Sequence, residues 1–152
     1  MDYTLESLLA EEVGLRLGSF SNEAAWRLGS FVVRRAKAED LSLAVAIVRG
    51  GQRLFWHATE GSSPDNDFWL DRKIRTVLRF GHSSYYMGRK LAADGSTLAE
   101  RYAASDTEYS THGGALPIYV RGTGLVGAFA VSGLAQAEDH ALAVEALASL
   151  KK

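Results

Sequence analysis

The stretch Thr111-His112-Gly113-Gly114-Ala115-Leu116-Pro117-Ile118 runs through Tyr119-Val120 into Arg121-Gly122-Thr123-Gly124 and then the apolar residues 125–131. Residues 116–120 and 125–131 are two strand-like runs around a glycine-containing turn, which predicts a β-hairpin. The adjacent glycines ahead of it leave backbone without side-chain cover and allow conformations closed to other residues. With His112 just before them, they read as a loop built for close approach, either of a ligand or of another subunit.

A second hairpin lies upstream. Residues 43–48 are a continuous apolar run, Gly50-Gly51 turns the chain, and residues 52–58 return. Helical patterns fill most of the remainder. Residues 3–13 predict a short helix capped by Thr4. Residues 21–38 predict a longer one, capped by Ser21 or Asn22, with Ala24, Leu28, Phe31 and Val32 along one stripe. Ser63-Pro64-Asp65-Asn66-Asp67 opens a third helix, capped by Asp65 and Asn66. Its buried face is expected at Leu70, Ile74, Val77 and Leu78, and Gly81 ends it. Further helices are expected over 83–91, 97–103 and 136–150, a loop over 104–115, and a short strand over 15–20. Strand pairs separated by a block of helices imply an α+β fold, an antiparallel sheet with helices packed on it.

Size and composition fit one soluble domain spanning residues 1–152. The 47% hydrophobic and 23% charged fractions are ordinary for a globular protein. A net charge of -1 argues against nucleic acid or an anionic membrane as partner. The absence of cysteine excludes disulfides, thiol nucleophiles and thiolate metal sites. The first residues lack the basic and then apolar pattern of an export signal, so a cytoplasmic location is expected.

Four histidines are candidates for chemistry. His57 shares a predicted strand face with Phe55 and reads as structural. His140 is expected at the core edge, with a ring nitrogen bonded to a backbone group. His82, at a helix boundary, and His112, beside Gly113 and Gly114, are the ligand candidates. Arg49 and Arg121 join them. Each follows an apolar strand and precedes a glycine, and guanidinium groups suit a carboxylate or phosphate. They share one end of the sheet if the hairpins are so aligned. Arg72, Lys73, Arg75 and Arg79 are expected to keep a helix face wet. Trp26, Trp56, Trp69, Tyr85 and Tyr86 suit a core, an interface or a flat-ligand pocket. No motif has metal-ligand or nucleophile-elbow spacing, so no metal site or catalytic residue is assigned.

Several ordered motifs carry a family resemblance. They include Phe20-Ser21-Asn22-Glu23-Ala24-Ala25-Trp26, Arg49-Gly50-Gly51-Gln52, Pro64-Asp65-Asn66-Asp67 and Arg72-Lys73. Gly81-His82-Ser83-Ser84, His112-Gly113-Gly114 with Pro117-Ile118, Val131-Ser132-Gly133-Leu134 and Glu138-Asp139-His140 complete the set. On these the chain resembles the haem-degrading-domain family of GlcG and HbpS, and most closely its short single-domain branch, which has no settled activity. The resemblance implies a profilin-like fold and homo-oligomers. It also implies haem or a corrinoid as ligand, because some members are associated with haem binding or breakdown and a related domain is fused to a cobalamin adenosyltransferase. The expected function is a homo-oligomeric small-molecule-binding domain that binds or degrades a tetrapyrrole. The competing expectation is an interaction protein, without catalysis, whose glycine loop forms a subunit contact.

Overall fold

A computed structural model describes residues 2–151. They form six helices, α1 (Leu5–Gly14), α2 (Asn22–Ala38), α3 (Pro64–Phe80), α4 (Ser84–Asp94), α5 (Leu98–Tyr102) and α6 (Gln136–Ser149). Four strands accompany them, β1 (Ala44–Arg49), β2 (Gln52–Ala58), β3 (Ala115–Val120) and β4 (Gly124–Ser132). Both predicted hairpins are present, and β1 pairs with β4 to join them into one antiparallel sheet of order β2-β1-β4-β3. The fold class is α+β.

Local chemistry explains the boundaries. Thr4 and Ser7 form a reciprocal capping box at α1, and Ser21 accepts from the Ala24 amide at α2. Ser63 is the N-cap of α3, with Asn66 reaching back to its amide, so Asn66 belongs to the expected cap and Asp65 sits one residue inside the helix. Gly81 closes α3 at a φ of 73°, where a side chain would be strained.

The two sheet faces are built differently. Val45, Ile47, Leu116, Ile118, Phe129 and Val131 pack against α2 and α6. The opposite face presents Ala44, Ala46, Ala115, Ala128 and Ala130 to Leu70, Ile74 and Val77 of α3. This alternation is the period of two that strand geometry imposes.

Two expectations fail here. Residues 15–20 make no strand. Leu17 contributes a single parallel bridge to Val120, its amide donating to the Tyr119 carbonyl at 2.9 Å and its carbonyl accepting from the Arg121 amide at 2.9 Å. Leu15 and Leu17 bury their side chains, and Gly18 and Ser19 then lead into α2, so pairing stops after one rung. Leu78 is 45% exposed, because one residue beyond Val77 the helix has turned about 100° away from the sheet. Lys73 and Thr76 extend the buried face in its place.

Candidate functional site

Gly114 lies at the start of β3, next to the end of β4, and its backbone is enclosed by the chain itself. A β-carbon there would stand 2.3 Å from the Val131 carbonyl oxygen and 2.9 Å from the Lys73 ammonium, at a φ of 133°. At Gly113 it would meet the Gln136 carbonyl oxygen at 2.4 Å and the Tyr85 ring at 2.9 Å. The groups that approach this backbone belong to β4, α3, α4 and α6 of the same molecule. Both glycines are buried within the chain.

Hydrogen bonds fix the segment that carries His112. The Ser110 amide donates to Thr76 Oγ1 at 3.1 Å, the Gly113 amide to Gln136 Oε1 at 3.1 Å and the Ala115 amide to Ser84 Oγ at 3.1 Å. His112 stays exposed and stacks on Trp69, with ring centroids 4.9 Å apart. Trp69 is held by a bond from its indole nitrogen to Asp65, and the Arg72 guanidinium lies 4.5 Å from its ring centre. Burial of part of the imidazole, then the Lys73 and Arg72 charges, hold the His112 pKa below the ordinary histidine value. The ring is thus neutral around pH 7, the form that can bind a metal through nitrogen.

Beneath it lies a buried ion pair. Lys73 Nζ donates to Asp139 Oδ2 at 3.2 Å and to the Val131 carbonyl at 3.0 Å, and the two side chains are 3% and 2% exposed. Asp139 also accepts from the Gly133 and Leu134 amides. Burial pulls the Lys73 pKa down against the attraction of Asp139. Burial pushes Asp139 up, opposed first by the Lys73 charge and then by its backbone donors. A cavity of about 180 Å³ opens beside the pair, bounded by Trp69, Lys73, His112, Ser132, Gln136 and Asp139.

The expected wet face of α3 is corrected by Lys73, which is buried. The sequence carried a signal for this: residues 70, 73, 74 and 77 follow the i, i+3, i+4, i+7 pattern of one helix face. The structure brings four further residues to His112: Trp69, an expected pocket aromatic, Lys73, expected on a wet helix face, and Gln136 and Asp139, which the sequence did not single out as candidates.

The other candidates lie elsewhere. His82 Nδ1 is 2.8 Å from Glu12 Oε2, whose other oxygen accepts from the Ser83 amide at 2.7 Å, and His82 does not border the His112 cavity. His140 is fully buried between Tyr3 and Tyr85. Its Nε2 is 2.7 Å from Glu11, a carboxylate where a backbone partner was expected. Adjacent acids of α1 thus tie that helix to α4 and α6. Arg49 and Arg121 do share one end of the sheet, the end of the two hairpin turns, opposite Gly113 and Gly114. Arg49 donates to the Phe20 carbonyl and to Asn22, and Arg121 to the Arg16 carbonyl at 3.0 Å. Among the described residues no three His, Cys, Asp or Glu side chains cluster as a metal site, and no helix is long and apolar enough to cross a membrane.

An antiparallel four-stranded sheet flanked by helices, with a small polar cavity at one strand end, defines an α+β domain. The chain belongs to the family described as "Haem degrading protein HbpS-like", whose model matches residues 20–148. A UPF0303 protein of Streptomyces avermitilis is 49% identical over 95% of this chain and 88% of its own length. The crystal structure of the Ybr137w protein superposes with a TM-score of 0.90 at 36% identity, covering 98% of this chain and 88% of that one. A crystal structure of a PduOC:Heme complex shares the fold, with a TM-score of 0.74 at 19% identity over 86% of this chain and 94% of that one.

Proposed function

We propose that the protein is a homo-oligomeric small-molecule-binding domain whose ligand seats at the His112 cavity. The observation that carries this is the exposed imidazole stacked on Trp69 above the Lys73–Asp139 pair. Haem is the first ligand to test, supported by the family's description and by the fold shared with the PduOC:Heme complex. His112 would hold the iron of a bound haem through a ring nitrogen, and the haem would supply redox chemistry. The cavity, about 180 Å³, is smaller than the roughly 300–1,000 Å³ of pockets that enclose a drug-sized ligand. It therefore takes only a polar edge of a macrocycle, whose remaining face a second copy of the chain would cover. Exposed aromatic side chains elsewhere on the surface, Trp26 at 61% and Phe68 at 68%, support self-association.

The test is titration with haemin and with aquocobalamin, wild type beside His112→Ala. Saturable binding with a Soret shift that His112→Ala abolishes is expected. Absorbance that never saturates, or that survives the substitution, overturns the reading. Light scattering should give a mass well above the 16.5 kDa of one chain, and a monomer at micromolar concentration overturns the oligomer.

A further inference from the structure

At the far end of the sheet from His112 a recess of about 300 Å³ is bordered by Arg16, Arg27, Arg121 and Lys151, with Ser19 and Ser21 between them. Among the described residues no carboxylate borders it. The geometry points to a second binding site here, for a phosphate group carried by a small molecule or free as inorganic phosphate.

Four separate segments bring these cations together. The single parallel bridge between Leu17 and Val120 runs residue 16 alongside Tyr119 and residue 18 alongside Arg121, whose guanidinium reaches back to the Arg16 carbonyl. Arg27 projects from α2, and Lys151 follows the end of α6. The Arg121 guanidinium and the Lys151 ammonium each donate to a backbone carbonyl, of Arg16 and of Gly14. These bonds position the two charges without neutralising them. The Arg16 guanidinium lies over the Tyr119 ring, 5.4 Å from its centre. Among the described residues none of the four forms an ion pair. Glu23, one turn before Arg27, borders the neighbouring groove and is not joined to it by a salt bridge.

Like charges gathered at one place raise each other's energy unless an anion joins them. The molecule carries a net charge of -1, so this concentration is local. Guanidinium groups offer paired donors that match the oxygens of a phosphate. The positive end of the 17-residue helix α2 starts at Ser21, on the rim, and adds to the same field. A phosphate bound here would accept from Arg27 and from the free donors of Arg121 and Arg16, with Lys151 as a further charge.

The test is binding of inorganic phosphate and of glycerol phosphate at constant ionic strength, with acetate and succinate as controls. Amide shifts of Gly18 and Ser19 are followed by NMR, and affinity by calorimetry. Saturable binding that moves these amides, and that weakens about tenfold or more in Arg27→Gln and in Arg16→Gln, is expected. Tighter binding of glycerol phosphate than of inorganic phosphate identifies an ester as the ligand, and the reverse identifies the free anion. Equal response to acetate and succinate, no saturation, or unchanged affinity in both variants overturns the site. His112→Ala should leave this binding intact, so failure here is distinct from failure at the other end.

Discussion

The two ends of the sheet treat charge in opposite ways. At the start of β3, Lys73 and Asp139 are almost fully buried and satisfy each other, with backbone groups completing the set. At the hairpin end, Arg16, Arg27, Arg121 and Lys151 stand at the surface, and among the described residues no acid borders their recess. The first arrangement holds elements together, because removing either partner strands a charge in low dielectric. The second costs the fold little, because water screens each cation, and it leaves binding capacity unspent. A charged residue is thus informative here through its surroundings more than through its sign.

The sharpest way to break this contrast is at the buried pair. Lys73→Met leaves Asp139 unpaired and should lower stability by about 3–5 kcal/mol, read from denaturant midpoints. Lys73→Met with Asp139→Leu should recover most of that loss. A double variant no better than the singles would mean that backbone capping by Asp139, and not the pair, dominates. Gly114→Ala is expected to cost about 3 kcal/mol, since its β-carbon meets the Val131 carbonyl at a φ of 133°. A smaller loss would show that β4 can give way at that point.

His112 should titrate below the ordinary 6.5 when followed by NMR. Its folded value is the lower one, so the unfolded chain binds more protons in that window, and stability rises with pH up to about 6.5. Lys73→Met removes one of the causes and should move the midpoint upward. No movement would detach the cavity from the pair beneath it. The smallest effect is expected at the open end. Arg27→Gln should change stability by no more than about 0.5 kcal/mol. A large loss would mean that the recess is structural after all.

Much of the fold was legible because its signals are local. Gly50-Gly51 and Gly122-Thr123-Gly124 turn two hairpins between apolar runs, and both strand pairs form. Ser21 and Gly81 mark helix ends through backbone chemistry that involves only their neighbours. The site was legible only in part. His112 and the glycine pair could be found, whereas what fills the space over Gly114 comes from Lys73 and Asp139, far away in sequence. At Lys73 the charge suggests a wet surface, whereas the helical phase shared with Leu70, Ile74 and Val77 marks the buried face it occupies. The partners of His82 and His140 lie on α1, about 70 and 129 residues away, at separations that no local pattern reports.

The alanine face of the sheet has a consequence for how this molecule can vary. Ala44, Ala46, Ala115, Ala128 and Ala130 set the height of α3 above the strands, and α3 carries Lys73, whose reach to Asp139 depends on that height. One added methyl group on this floor acts as a shim under a lever and shifts the ammonium at its tip. The sheet residues that face α2 and α6 are larger, Val45, Ile47, Leu116, Ile118, Phe129 and Val131, and can exchange volume among themselves. Sequence drift should therefore run freely on one side of the sheet and stall on the other.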